Sequence, residues 1–337
     1  MSSTFDNNVT GTAVPLLAVR GLQTFFPSDE GIVRAVDGVD IDVHAGECLG
    51  VVGESGSGKS VTFASVMGLV RKPGQIAGGS IRFAGRELRD LSPSQMRSIR
   101  GREIALTMQD ALTALDPVMP VGAQIVEALR AHGRAATSNP RERATELLRL
   151  VGIPEPEARL RQYPHELSGG MRQRVMIAVA LACEPRLLIA DEPTSALDVT
   201  IQAQILDLIG TLRRRLGMTV VLITHDLGIV AEHCDRVAVM YAGQVVEEGP
   251  ARQLIANPRH PYTRGLLDAL PRIENLDRPI RPIKGQVPAL LAPAETCRFL
   301  PRCPLATAEC RKPIPLRDVA PQRRARCIHA ETTGAVA

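Results

Sequence analysis

Eight consecutive residues, Gly53-Glu54-Ser55-Gly56-Ser57-Gly58-Lys59-Ser60, follow the order G-x-x-x-x-G-K-[ST], a pattern that wraps phosphate groups. Glycines let the backbone fold tightly, so that successive N–H groups point at one concave spot and hold anionic oxygens. The apolar run Cys48 to Val52 precedes the loop, and the spacing predicts a helix from near Ser60. At a helix N-terminus the dipole adds to the attraction for negative charge. Gly53, Ser55, Gly56, Ser57, Gly58, Lys59, Ser60 and Val61 are the expected nucleotide-binding stretch. Lys59 is placed on the β- and γ-phosphates and the Ser60 hydroxyl on Mg²⁺.

A second motif supplies what a phosphate loop lacks. Leu187 to Ala190 read as a buried parallel strand, and Asp191 and Glu192 stand at its C-terminal end, where open α/β sheets bind ligands. Adjacent residues at a strand end point to opposite sides, so the two carboxylates can take different tasks. Asp191 is expected to hold Mg²⁺ through its hydration shell, and Glu192 to orient and polarise an attacking water. Ser168, Gly169 and Gly170 form a second candidate anion site: Ser168 is a good N-cap, and the two glycines expose backbone N–H groups at the start of a helix predicted over Met171 to Cys183.

The series so far resembles the ATP-binding-cassette ATPases, from about Leu16 to Gly249, with Leu167-Ser168-Gly169-Gly170-Met171-Arg172-Gln173-Arg174 similar to the family signature. The resemblance implies ATP as the nucleotide, sandwiched between two nucleotide domains, with Ser168, Gly169 and Gly170 serving the γ-phosphate bound by the opposite subunit. Gln109, which ends the run Ile104 to Met108, resembles the Gln that touches Mg²⁺ and water and relays nucleotide state to a membrane partner. His225, after the strand Thr219 to Thr224, resembles the switch His on the γ-phosphate, and Asp198 resembles the loop that crosses the dimer interface. Family members stack an aromatic residue on adenine from ahead of the phosphate loop. Counting back from Ser60 favours Phe26, with Phe25 beside it; a ring buried in the core is the competing reading.

Strands and helices alternate in α/β fashion, interrupted by a helical insertion. Val39, Ile41 and Val43 alternate with Asp40 and Asp42 as a half-exposed strand does. Val121 to Ala131 and Arg141 to Val151 are predicted helices, separated by the breaker Thr137-Ser138-Asn139-Pro140. Strand signals resume at Leu187, Thr219 and Val237 and end near Gly249. The expected fold is an α/β phosphate-loop NTPase (RecA-like) core with an antiparallel β subdomain and a helical subdomain over about 110–180. Residues 1–15 are expected to be a flexible N-terminus, 16–255 the ATPase and 256–337 a C-terminal extension.

That extension is marked by prolines (Pro258, Pro261, Pro271, Pro279, Pro282, Pro288, Pro293, Pro301 and Pro304). Here the resemblance narrows to the ATPase subunits of oligopeptide, dipeptide and nickel importers. It is carried by Arg259-His260-Pro261-Tyr262-Thr263-Arg264-Gly265-Leu266-Leu267, Lys284-Gly285-Gln286-Val287-Pro288 and Cys297-Arg298-Phe299-Leu300-Pro301-Arg302-Cys303-Pro304. The later Cys310 and Cys327, and the Gln-loop segment Met108 to Met119, add to it, with Ala111 in place of the usual proline and Asp116 in place of the usual asparagine.

Of the seven cysteines, Cys48, Cys183 and Cys234 sit in apolar text and read as small buried hydrophobes. Cys297, Cys303, Cys310 and Cys327 lie in the polar tail, where a cytosolic disulfide is disfavoured. Their spacing lacks the C-x₂-C knuckles of structural zinc. A [4Fe–4S] cluster on the four thiolates is the preferred reading, and the subfamily resemblance implies the same; a zinc staple and free thiols are the alternatives. The cluster lies outside the nucleotide site in sequence and is expected to leave nucleotide binding intact.

The composition, 45% hydrophobic and 23% charged over 337 residues, is that of an ordinary globular protein. A formal net charge of +4 is too weak to argue for nucleic acid as a partner. No apolar stretch reaches the roughly 18 residues of a membrane span, and the polar start Met1 to Asn8 lacks the layout of a signal peptide. A peripheral position at the cytoplasmic face of the membrane is expected. The reading is an ATP-hydrolysing importer subunit with oligopeptide or dipeptide cargo, nickel or another small solute being the alternative. Its expected partners are a second ATPase subunit, two membrane-spanning permeases and an extracytoplasmic substrate-binding protein. A soluble relative acting on ribosomes or DNA would carry a second cassette or a long coiled-coil insertion, and a non-hydrolysing regulator would lack the base that Glu192 supplies.

Overall fold

The computed structural model of the chain describes residues 14–133, 139–195, 197–269 and 282–333. Residues 1–13 of the expected N-terminal segment, Thr137 and Ser138 of the breaker, Ala196, Pro271, Pro279 and residues 334–337 lie outside the described residues.

Twelve strands are described: β1 (Leu17–Ser28), β2 (Gly31–Val43), β3 (Cys48–Val52), β4 (Gln75–Phe83), β5 (Arg86–Glu87), β6 (Ile104–Thr107), β7 (Leu187–Asp191), β8 (Thr219–Thr224), β9 (Arg236–Tyr241), β10 (Gln244–Pro250), β11 (Arg317–Ala320) and β12 (Arg323–Ala325). They form two sheets. The first is antiparallel in the order β2-β1-β4-β5 and is the expected antiparallel β subdomain. In β2 the alternation holds, with Val39, Ile41 and Val43 buried and Asp40 and Asp42 half-buried.

The second sheet runs β11-β12-β10-β9-β3-β8-β7-β6. Its strands β9, β3, β8, β7 and β6 are parallel. Parallel strands covered on both faces need apolar residues at every position, and the side-chain alternation divides them between two cores. Cys48 and Val52 of β3, Leu188 and Ala190 of β7, and Val220 and Leu222 of β8 face one core. Leu49 and Val51, Leu187 and Ile189, and Val221 and Ile223 face the other. Cys48, Cys183 and Cys234 are buried as expected, at 5%, 2% and 9% exposure.

The described helices are α1 (Lys59–Val66), α2 (Pro93–Ile99), α3 (Ala111–Ala114), α4 (Val121–Ala131), α5 (Pro140–Leu150), α6 (Pro156–Arg159), α7 (Gly169–Ala180), α8 (Val199–Leu216), α9 (Leu227–His233), α10 (Ala251–Ala256), α11 (Pro261–Asp268) and α12 (Ala330–Thr333). In the insertion, Val121, Ile125 and Leu129 of α4 pack with Ala144, Leu147 and Leu148 of α5 and with Val175 of α7. Asn139 starts α5 by accepting the Arg141 N–H at 3.1 Å, and Pro140 occupies the first turn, where no donor is needed. Among the described residues no helix is long and apolar enough to cross a membrane.

The C-terminal stretch is built into this architecture: β12 pairs antiparallel with β10 at the edge of the second sheet, and β11 pairs with β12. Glu247 of β10 is fully buried there and accepts from Arg323 Nη2 at 2.8 Å, from the Arg259 N–H at 2.8 Å and from the His260 N–H at 2.9 Å. Burial pushes its carboxyl above the ordinary range, against the pull of these donors. Removing one partner of such a pair leaves an uncompensated buried charge. Arg323→Met is expected to lower unfolding stability by about 3 kcal/mol, read as a shift in the midpoint of a urea transition.

Candidate active site

The phosphate loop joins the C-terminal end of β3 to α1. Gly53 and Gly58 are sterically required: at φ 155° and 99°, a Cβ on them would lie 2.2 Å from the Met240 carbonyl oxygen and 2.5 Å from that of Ala35. The loop is closed internally by Ser57 N–H to Glu54 O at 3.2 Å and tied to the sheet by Gly243 N–H to Ser57 O at 2.9 Å. Lys59 is 5% exposed, and its Nζ donates to Gly53 O at 2.7 Å and Glu54 O at 3.0 Å. Burial lowers its pKa, opposed by the negative charges of Glu192, Asp191 and Glu54.

Ser60 Oγ donates to Asp191 Oδ1 at 3.0 Å, so two of the three residues expected at Mg²⁺ meet across the gap between α1 and β7. Burial is the main influence raising the Asp191 pKa; the Ser60 hydrogen bond opposes it, the Glu192 charge adds to it and the Lys59 charge opposes it. A divalent cation fits this oxygen pair, a hydroxyl and a half-buried carboxylate at the mouth of the loop.

Glu192 leaves β7 in the left-handed region at φ 44° and is pinned there by its N–H to Ile223 O at 2.9 Å. A non-glycine residue held in that region marks a backbone constrained by its surroundings. The turn swings its carboxylate sideways: Oε2 accepts from Gln109 Nε2 at 3.0 Å, and Oε1 lies 3.5 Å from His225 Nδ1. Gln109, Glu192 and His225 thus follow the neighbouring strands β6, β7 and β8 and converge on one point. Ser195, whose position in this network sequence reasoning missed, donates from Oγ to Gln109 O at 3.4 Å and Glu192 O at 3.3 Å. A cavity of about 520 Å³ between α8, α9 and α10 holds none of these residues.

Ser168 caps α7 by accepting the Met171 N–H at 3.4 Å and is exposed. Gly170 is fitted against α8, where a Cβ would lie 2.8 Å from Ile201 Cγ2. Asp198 caps α8, accepting from the Ile201 N–H at 2.9 Å. Among the described residues no hydrogen bond joins Ser168, Gly169 or Gly170 to the phosphate loop of the same chain. Phe26 is half-buried with its ring edge against Gly74, whereas Phe25 carries the Arg34 guanidinium 4.4 Å from its ring centre.

The C-terminal stretch does not stand apart from this site, contrary to its distance in sequence. Tyr262 Oη accepts the Glu54 N–H at 2.8 Å, and Arg302 grips the Glu54 carboxylate with Nη1 and Nη2 at 2.7 and 2.9 Å. Arg298 donates to Ala242 O and Asp37 Oδ2, both at 2.6 Å. His260 is fully buried; loss of water drives its pKa down to about 3, so Nδ1 is a free acceptor that caps α11 through the Tyr262 N–H at 3.1 Å. The sequence singled out the segments carrying Tyr262 and Arg302 as subfamily markers, with no signal of what they touch.

Cys297, Cys303, Cys310 and Cys327 come together from separate turns of the tail, each of the other three adding to the electrostatic load on the Cys327 thiol. Burial is the larger cause and pushes that thiol up to about 12. Cys297 N–H donates to Cys310 O at 3.0 Å. None of the seven cysteines is in a disulfide, and among the described residues no group of three or more His, Cys, Asp or Glu side chains is arranged to hold a metal ion. Four thiols are the donor type that ligates both iron–sulfur clusters and structural zinc.

The family profile described as ABC transporter matches residues 36–195, and that of the oligopeptide/dipeptide transporter C-terminal region matches residues 246–310. The chain is 52% identical over 315 residues to the probable peptide ABC transporter ATP-binding protein y4tR of Sinorhizobium fredii, covering 93% of this chain and 94% of that protein. It is 48% identical over 313 residues to the dipeptide transport ATP-binding protein DppD of Escherichia coli, covering 93% and 96%. Among solved structures it is similar to the dimeric post-hydrolysis state of the ATP-binding cassette MJ0796 bound to ADP and Pi, with a TM-score of 0.63 and 29% identity over 70% of this chain and 99% of that one.

Proposed function

The chain belongs to the ATP-binding proteins of ABC transporters, and from that premise we propose that it powers the uptake of oligopeptides or dipeptides across the cytoplasmic membrane by hydrolysing ATP. The observation that carries the hydrolytic reading is the convergence of Gln109, Glu192 and His225 beside a loop whose amides and Lys59 suit a triphosphate. The peptide cargo is supported by the relatives, named for peptide and dipeptide transport along nearly their whole length.

In this reading the loop amides and Lys59 bind the β- and γ-phosphates, and Phe26 stacks on adenine. Ser60, Gln109 and Asp191 hold Mg²⁺, which when bound offsets charge on the phosphate oxygens. Glu192 orients the attacking water and accepts its proton as the bond from the γ-phosphorus to the leaving oxygen breaks. His225 steadies the γ-phosphate, and Ser168, Gly169 and Gly170 offer their helix N-terminus to the ATP of a second subunit. That subunit, two membrane-spanning permeases and an extracytoplasmic substrate-binding protein complete the assembly, with this chain peripheral on the cytoplasmic face. Disrupting its gene is expected to abolish uptake of labelled di- and oligopeptides and to leave nickel uptake unchanged. Loss of nickel uptake with intact peptide uptake would assign the other cargo.

Cys297, Cys303, Cys310 and Cys327 are proposed to hold a [4Fe–4S] cluster. Anaerobically prepared protein is then expected to be brown, to absorb broadly near about 400 nm and to contain iron and acid-labile sulfide through thiolate ligation. Replacing any one of the four by Ser is expected to lose the colour and expose the tail to proteolysis. Colourless protein with stoichiometric zinc would replace the cluster by a zinc staple, and metal-free protein with four alkylated thiols would remove the metal.

A further inference from the structure

Glu54 is a hub in the phosphate loop. Its N–H donates to Tyr262 Oη at 2.8 Å, its carbonyl accepts from Lys59 Nζ at 3.0 Å and from Ser57 N–H at 3.2 Å, and its carboxylate is gripped by both terminal nitrogens of Arg302. A carboxylate at this place has a cost. It stands in the loop that must receive a highly charged triphosphate, and its charge acts on Lys59. Left alone it would repel the ligand and compete for the ammonium.

Arg302 is built to cancel it. Its side chain is 5% exposed and that of Glu54 30%, so the pair is screened from water on the arginine side. The guanidinium is fixed independently of Glu54: Nε donates to Lys284 O at 2.8 Å, Nη2 reaches Gly285 O at 3.1 Å and Ile283 O at 3.3 Å, and the Tyr241 ring lies 5.7 Å away. A planar fork held on its other edge presents its charge without loss of freedom on binding. The carbonyls come from Ile283, Lys284 and Gly285 and the arginine from the segment Cys297 to Pro304, two tail stretches otherwise without a task in ATP hydrolysis.

We infer that Arg302, backed by Tyr262, is a positioning residue for ATP binding: it neutralises Glu54 and holds it against the tail, so that the phosphate loop accepts the triphosphate only while the C-terminal stretch is docked. This rests on the reading of the loop as the ATP site. Because the loop holds the phosphates before and during reaction alike, its disturbance weakens ground state and transition state together, which raises KM and spares kcat.

The test measures the ATP dependence of hydrolysis by the full-length protein, with ATP binding by calorimetry alongside. Arg302→Met is expected to raise KM and Kd for ATP about tenfold with kcat within about twofold, as the loss of one charge-assisted bidentate contact. Arg302→Lys, which keeps the charge and loses the fork, is expected to fall between. Glu54→Gln combined with Arg302→Met is expected to return Kd to within about threefold of the parent, because the uncompensated charge is gone. If Arg302→Met does not fold, Arg302→Lys and Tyr262→Phe carry the test, each expected to raise Kd by about twofold to fivefold. Unchanged Kd in the folded variants, a fall in kcat with KM unchanged, or failure of the double variant to recover would overturn the inference while ATP binding by the parent stands. Absence of ATP binding by the parent protein would overturn the reading of the site and this inference with it.

Discussion

Glu192→Gln protein is expected to bind ATP with near-parental affinity and to turn it over about 10²–10⁴-fold more slowly, the usual loss when a general base is removed. The amide keeps the size of the carboxylate and can still meet Gln109 and His225, which lie 3.0 and 3.5 Å from the carboxylate oxygens. It cannot accept the proton of the attacking water. The backbone at Glu192 is fixed by the hydrogen bond to Ile223 and by the left-handed turn, so the substitution changes chemistry and not position. ATP trapped before hydrolysis should hold two subunits together, and the variant is expected to elute as a dimer on gel filtration with ATP and as a monomer without it. Hydrolysis within a few-fold of the parent would remove Glu192 from the proposed role. Persistent monomer would remove the ATP-bridged pair.

Lys59→Ala and Ser168→Arg are expected to damage different nucleotides of one dimer. Lys59 lies in the loop proposed to receive the phosphates of its own subunit, and Ser168 stands exposed at the start of α7 with, among the described residues, no hydrogen bond to that loop. The helix N-terminus opened by the exposed Ser168 and the half-buried Gly169 and Gly170 suits a phosphate brought by another molecule. Loss of a preorganised donor to charge developing in the transition state costs about 10²–10³-fold. In a pair of distinguishable subunits, Lys59→Ala is expected to silence the site on its own chain and Ser168→Arg the site on the partner, by single-turnover hydrolysis with each site labelled in turn. Both variants silencing the same site would exclude the composite arrangement. In a homomeric pair each variant alone should abolish both sites, which distinguishes the two assemblies.

Local chemistry was legible wherever a short motif stood at the end of a strand. The phosphate loop, Asp191 and Glu192, Gln109 and His225 each follow a buried apolar run whose period-two side chains the sequence spells out. The helix predicted over Val121 to Ala131 is α4 residue for residue, because an apolar stripe and a preceding proline define it. The helix predicted from Met171 begins at Gly169, since Ser168 caps it and draws both glycines into the first turn. Between Phe25 and Phe26 the alternation tells only that the rings part; that Arg34 covers Phe25 follows from the β1 to β2 register.

What the sequence determined by itself is therefore the kind of chemistry: a phosphate-binding loop, a carboxylate pair at a strand end, a capped glycine helix and a cysteine-bearing tail are each written in a few adjacent residues, where backbone geometry and side-chain type act at short range. Only the tertiary structure decided which of these meet. Gln109, Glu192 and His225 share one point because β6, β7 and β8 are neighbours in the sheet. Arg302 reaches Glu54 across 248 residues because its neighbours seat the tail there, Arg298 on Ala242 and Asp37 and the Phe299 ring on Tyr241 and Tyr262. Strand order and edge pairing are selected by burying both faces of the whole sheet at once, a cooperative free energy that no local run of residues carries.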